Sequence, residues 1–271
     1  MPSGFLHKKS LGQHFLNSAV VPTWMCDAAH LTAGDLVVEV GPGTGALTRE
    51  LLLRGARVIA LEADRRAIAV LHETFPTEIH AGLLTIVEAD IRTFDLQELA
   101  LPDQGYAVVA NIPYYLSGML FRIFLEHTAQ PHTLVFLVQK EVAKRVTESV
   151  RTGGKESLLS LSVQCYGTPT YIRTVGRGYF TPPPKVDSAI ICIHDISRAR
   201  LAGIDPDHFF TLLHLGFGQK RKQLLGNLAS SYPREQLTHI FSTRALPLTV
   251  RAEDVPLELW LQLAAALPVR A

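Results

Sequence analysis

Asn111-Ile112-Pro113-Tyr114-Tyr115 ends an apolar run, Tyr106 to Ala110, that reads as a buried strand, so an amide and two aromatic rings stand at a strand end. In an open α/β sheet, ligands collect in the crevice beyond the carboxyl ends of the strands. The chemistry such a set suits is the orientation of an aromatic amine. The lone pair of an exocyclic amine such as adenine N6 is delocalised into its ring and attacks poorly at neutral pH. Two acceptors, the Asn111 side-chain oxygen and a backbone carbonyl such as that of Ile112, hold both amine hydrogens, draw the nitrogen toward tetrahedral geometry and aim its lone pair. Pro113 fixes φ and supplies no donor, so the turn presents carbonyls. Tyr114 offers a face to a base and tolerates a nearby cation. Catalysis is then orientation and electrostatics, with no metal and no covalent intermediate. A proline turn with an asparagine cap has the same letters.

A second strand end carries a different chemistry. Leu36-Val40 runs into Gly41-Pro42-Gly43-Thr44-Gly45 and then a helical pattern. Glycines there let the backbone turn tightly and approach a ligand, with a helix N-terminus facing it. Glu62 ends the next apolar run and can accept both hydroxyl protons of a ribose, a description that fits NAD and S-adenosylmethionine equally. Asp90, after the third run, tips the balance toward a compact adenosine lying across the strand ends; its plainer reading is a turn cap before Ile91.

These residues must be positioned by alternating elements. Strands are expected at Leu36-Val40, Arg57-Leu61, Leu83-Val87, Tyr106-Ala110 and Thr133-Val138, with helices at Thr44-Arg54, Arg65-Thr74, Ser117-Glu126 and Glu141-Ser149. That alternation predicts βαβ units and a mostly parallel sheet. Thr170-Val175 and Asp187-His194 are expected as an antiparallel pair closing the sheet, and Pro206-Ala271 as a small all-helical domain, giving domains 1–198 and 199–271. No run reaches the roughly 20 apolar residues that span a bilayer, and residues 1–10 lack the apolar core of a signal peptide, so a cytoplasmic protein is expected. Cys26, Cys165 and Cys192 lie far apart, with no spacing that suggests zinc or a disulfide framework.

A net charge of +1 conceals an uneven distribution. Leu36 to Val135 holds 12 acidic and 7 basic residues, whereas Lys140 to Lys185, including Lys144 and Arg145, holds 8 basic and 3 acidic. Further basic clusters stand at His7-Lys8-Lys9 and Lys220-Arg221-Lys222. Such patches suit a polyanion such as nucleic acid, and solvated faces account for charge alone as well.

Gly12-Gln13-His14-Phe15-Leu16, Glu39 to Gly45, Glu62, Asp90, Asn111-Ile112-Pro113-Tyr114, Gln139-Lys140-Glu141-Val142 and Phe180 to Ser188 stand in one order. In that order the chain resembles the rRNA adenine N6-dimethyltransferase family, especially its KsgA-type small-subunit branch. Phe209-Phe210 through Phe217 to Leu225 looks like that branch's helical-domain signature. The resemblance implies a class I S-adenosylmethionine-dependent methyltransferase fold, Rossmann-like, with a seven-stranded sheet containing one antiparallel strand. It implies that His14 and Leu16 contact the cofactor from an N-terminal arm, Gly41 its methionine part, Glu62 its ribose and Asp90 its adenine. Gly43 belongs to the same glycine turn. Asn111 faces both cofactor and amine, and Phe180 stacks on the target adenine opposite Tyr114.

The activity implied is transfer of four methyls in total to N6 of two adjacent adenosines near the 3′ end of small-subunit (16S) rRNA, within an assembling 30S particle. Lys140, Lys144, Arg145, Lys185, Lys220, Arg221 and Lys222 are the expected RNA contacts, and a monomer is favoured. Alternatives are a ribosome-assembly checkpoint factor with secondary methylation and a large-subunit methyltransferase of the macrolide-resistance type. A dehydrogenase is disfavoured because no hydride-handling His/Arg or Lys/Tyr set is apparent.

Overall fold

The computed structural model describes residues 14–149 and 152–269. Gly12, Gln13, the His7-Lys8-Lys9 cluster and Arg151 lie outside the described residues. Nine strands are present among those described: β1 (Phe15–Leu16), β2 (Leu36–Val40), β3 (Arg57–Glu62), β4 (Leu84–Glu88), β5 (Ala107–Asn111), β6 (Thr133–Gln139), β7 (Thr168–Val175), β8 (Phe180–Thr181) and β9 (Ser188–His194). The helices are α1 (Val20–Ala28), α2 (Ala46–Leu53), α3 (Arg65–Thr74), α4 (Pro76–His80), α5 (Ser117–Leu125), α6 (Lys140–Thr147), α7 (Leu158–Gln164), α8 (Pro206–Phe217), α9 (Leu224–Leu228), α10 (Arg234–Thr243) and α11 (Leu257–Ala266).

Seven strands form one sheet in the order β4-β3-β2-β5-β6-β9-β7. β2 pairs in parallel with β3 and β5, β3 with β4, and β5 with β6, while β9 runs antiparallel to β6. Residues on both faces of β5 and β6 are buried, from Ala107 to Ala110 and from Thr133 to Val138. That is why these strands read as unbroken apolar runs rather than alternating ones. From β2 the chain builds outward through β3 to β4, then crosses back to lay β5 on the other side of β2. This reversal is a topological switch point, where connections leave opposite faces of the sheet and a crevice opens at the strand ends.

By its contacts the chain divides into two compact units, one containing residues 14–143 and 169–196 and the other 144–149, 152–168 and 197–269. The second crossing falls two residues from the expected boundary at 198, but segments 144–149 and 152–168, expected in the first domain, pack with the tail. Within that second unit Tyr166 stacks on Phe210 with ring centroids 6.2 Å apart. The Arg200 guanidinium bonds the Gln164 and Gly167 carbonyls, and the Glu156 amide donates to the Glu253 carbonyl. α8 and α11 meet through Gly216, where any added Cβ would overlap the fully buried Trp260 ring.

Candidate active site

The carboxyl ends of β2, β3, β4 and β5 surround a cavity of about 610 Å³, within the range of small-molecule sites. His14, Leu16, Gly41, Gly43, Glu62, Asp90, Asn111, Ile112, Pro113 and Tyr114 all line it. Residues up to 100 positions apart in sequence thus converge on one crevice, wholly within the first unit.

The floor is the turn after β2. Gly41 and Gly43 have φ of +67° and +57°, left-handed values that glycine adopts without a Cβ penalty. A Cβ on Gly41 would meet nothing within 4 Å, whereas one on Gly43 would crowd the Phe15 ring at 2.9 Å. The Gly43 amide donates to Glu62 Oε2 at 3.1 Å, and the Ala63 and Asp64 amides donate to Glu62 Oε1 at 2.9 Å each. Three backbone donors therefore fix a carboxylate that is only 7% exposed. Burial pushes its pKa up and the three amides pull it back. Beneath the turn, Glu39 is 1% exposed and accepts from the Thr48 hydroxyl at 2.7 Å. Burial drives its pKa up to about 8, so at neutral pH it is largely protonated.

Asp90 follows β4, and its carboxylate is chelated by Arg92, which holds its pKa down. At the end of β5, Asn111 Nδ2 donates to the His14 carbonyl at 3.2 Å. No hydrogen bond to Asn111 Oδ1 or to the Ile112 carbonyl is formed among the described residues. The amide is thus held by its nitrogen, and its oxygen is left to accept. Tyr114 bonds the fully buried Ser188 hydroxyl at 2.7 Å, which anchors the far edge of the ring.

Two expectations about the aromatic platform change. The ring lying against Tyr114 is the His14 imidazole, with centroids 5.7 Å apart and planes 30° from parallel. Its Nδ1 donates to the Pro182 carbonyl at 2.9 Å. Phe180, expected to face the target base, does not line the cavity. It is 2% exposed and sits in the core cluster with Leu16 and Val175. β8 pairs antiparallel with β1, setting Phe180 opposite Leu16, and a buried phenylalanine gains roughly 2–3 kcal/mol over an exposed one. Packing therefore wins over presentation at this position.

The expected RNA contacts do not line the cavity. Lys144, Arg145, Lys185, Lys220, Arg221 and Lys222 are exposed, and Lys140 is half-buried. Lys220 to Lys222 stand on the turn between α8 and α9, not on a helix face. Sequence reasoning gave no site role to Glu39, Arg92 or Ser188, and none to Tyr115 beyond its place at the strand end. Glu39 had a signal, a carboxylate inside an apolar strand; Arg92 had none beyond following Asp90.

Among the described residues, no helix is long and apolar enough to cross a membrane, and no group of three or more His, Cys, Asp or Glu could hold a metal ion. The cavity's volume, its open face at Gly41 and the carboxylates after β3 and β4 fit an adenosine-bearing cofactor.

Comparison with known proteins agrees. A "Ribosomal RNA small subunit methyltransferase A" of Dehalococcoides mccartyi is 40% identical over 94% of this chain and 87% of its own. Another, from Synechocystis, is 36% identical over 97% of both chains. Among solved structures, a dimethyladenosine transferase from Plasmodium falciparum superposes with a TM-score of 0.77 at 24% identity, covering 92% of this chain and 96% of that one. The 23S rRNA methyltransferase ErmE does so at 0.70 and 25%, covering 93% and 98%. The profile of the ribosomal RNA adenine dimethylases matches residues 4–268, so the chain belongs to that family of S-adenosylmethionine-dependent methyltransferases.

Proposed function

We propose that this enzyme dimethylates N6 of two adjacent adenosines near the 3′ end of small-subunit rRNA, acting in the cytoplasm on an assembling small subunit. The observation that carries the site assignment is the asymmetric anchoring of Asn111, whose amide nitrogen is tied to His14 while its oxygen stays available beside the Ile112 carbonyl. The small-subunit assignment is supported by the printed names of relatives at 36–40% identity. The 23S rRNA enzyme stands at 25%.

S-adenosylmethionine supplies, when bound, a methyl group on a cationic sulfonium. Glu62 would hold its ribose hydroxyls, Asp90 its adenine, and Gly41 and Gly43 the methionine end, with His14 and Leu16 closing from the arm. Asn111 and the Ile112 carbonyl accept the amine hydrogens and localise the nitrogen lone pair. Tyr114, steadied by Ser188, gives the base a face to stack on. The proton leaves after transfer, so no strong general base is required. Residues 144–149 and 152–168, which pack with the helical unit, bring Lys144 into the same unit as Lys220, Arg221 and Lys222, and all four would meet RNA phosphate.

The deciding experiment supplies labelled S-adenosylmethionine with unmethylated small subunits, large subunits and naked rRNA, then maps the modified bases. Dimethyladenosine at two neighbouring positions near the small-subunit 3′ end is expected; label in large-subunit rRNA would overturn the assignment. Two variants probe the parts. Glu62→Ala should weaken cofactor binding about 10–100-fold, the loss expected when a charged acceptor is removed and its donors are left buried and unpaired. Unchanged affinity by calorimetry would refute the ribose role. Reversing charge at Lys220, Arg221 and Lys222 should reduce the slope of log affinity against log salt by about 2, at roughly 0.7 per single-strand phosphate contact. An unaltered slope would put the RNA surface elsewhere.

A further inference from the structure

Asp90, the proposed acceptor for the cofactor adenine, is already engaged by Arg92. Arg92 engages both oxygens of the Asp90 carboxylate with three N–H groups in four contacts. Its backbone amide donates to Oδ1 at 3.0 Å, its Nε lies 2.9 Å from Oδ1 and 3.0 Å from Oδ2, and its Nη2 lies 2.5 Å from Oδ2. A cofactor amine donating to Asp90 competes with this chelate for the same two oxygens. The guanidinium edge it competes with, Nε with Nη2, is the edge that pairs bidentately with phosphate.

Arg92 is also well placed to receive one. It lines the cavity mouth and is 54% exposed, so the guanidinium swings without unpacking a core. Tyr115, 58% exposed, lines the same cavity. An exposed tyrosine one residue from the base platform and an exposed arginine lining the same cavity suit an unstacked nucleotide and its phosphate.

We propose that Arg92 is a substrate-positioning residue shared between two partners: it chelates Asp90, and when the cofactor adenine takes a lone pair of Asp90 it turns outward to clamp an RNA phosphate beside the target nucleotide. The inference rests on the reading of Asp90 as the adenine acceptor. Cofactor and RNA binding then favour one another by linkage, because each removes a competitor of the other. An isolated exposed ion pair is weak, so the arrangement is readily reversed.

The test is calorimetry with S-adenosylhomocysteine and filter binding of unmethylated small subunits, on wild type, Arg92→Gln and Asp90→Ala. Wild type should bind small subunits about 5-fold or more tightly with S-adenosylhomocysteine than without. Arg92→Gln should bind S-adenosylhomocysteine alone several-fold more tightly than wild type, since the competing chelate is gone, and should lose the coupling. Its salt slope should fall by about 0.7, one phosphate contact, only when S-adenosylhomocysteine is present. Unchanged or weaker S-adenosylhomocysteine binding by Arg92→Gln, with coupling intact, would overturn the shared-partner role. Asp90→Ala separates this failure from that of its premise: if it leaves S-adenosylhomocysteine affinity unaltered, Asp90 is not the adenine acceptor and the proposal falls with it. A merely structural Arg92 would lower the melting temperature without touching the coupling or the salt slope.

Discussion

Asn111→Ala is expected to lower methyl transfer by roughly 10²–10³-fold, the size of effect seen when one preorganised polar group is removed from a reacting centre. β5 is buried from Ala107 to Ala110, pairs with β2 at its start and with β6 along its whole length to Asn111, so the position where Asn111 emerges is held by the sheet. Pro113 then fixes the turn, and the Asn111 amide nitrogen is tied to the His14 carbonyl, which leaves the oxygen to accept. Alanine removes an acceptor that the target amine needs while it changes hybridisation, so the loss should fall on turnover. Binding of small subunits and of S-adenosylhomocysteine should stay within about threefold, because ground-state contacts are largely elsewhere. Asn111→Asp keeps an acceptor but sets a carboxylate oxygen against the His14 carbonyl, and should fall between wild type and alanine. Single-turnover transfer on unmethylated small subunits reads the effect directly, with melting temperature as the check on folding. Near-normal transfer by the alanine variant would remove Asn111 from the reaction.

Much of this site could be read from the chain before its fold was known, and the reasons are local. β2 lies at Leu36–Val40 and α3 at Arg65–Thr74, as expected from sequence. The strand is a buried apolar run with a glycine turn after it, and the helix has Asp64 accepting from the Arg66 amide as its cap. α1 escaped notice because Val20–Ala28 carries Pro22 and its preceding residue, Ala19, makes no side-chain cap. β1 and β8 are two residues each and exist only through pairing with one another across more than 160 positions. No local pattern encodes such a contact. The same pairing explains why Phe180 is buried. An aromatic before three prolines suits a base platform and a core anchor equally well, and only the arm laid across it decides. Arg92 illustrates the opposite limit: its chelation of Asp90 spans two residues, yet nothing in the letters distinguishes it from any exposed arginine.

Glu39→Gln is expected to make the protein more stable than wild type above pH 8 and about as stable below pH 5. The carboxyl of Glu39 is buried beneath the glycine turn, and burial raises its pKa from 4.5 to about 8, against the opposing pull of the Thr48 hydroxyl. The folded chain therefore keeps this proton up to about pH 8, whereas the unfolded chain releases it near 4.5. Between those values the native state binds more protons, so stability falls as pH rises through the window and levels off above it. The full penalty is on the order of 2–5 kcal/mol for a fully buried group. Glutamine retains an oxygen to accept from Thr48 and carries no proton to lose, so the variant should escape that decline. Glu62, also raised by burial, adds a decline of the same sign, so the slope of the variant should shrink rather than vanish. Urea unfolding at intervals between pH 5 and pH 9 separates the cases: curves for wild type and Glu39→Gln that run parallel across the window would mean that Glu39 is ionised in the folded protein at neutral pH, whereas curves that meet near pH 5 and diverge toward pH 9 would establish a neutral acid beneath the cofactor turn.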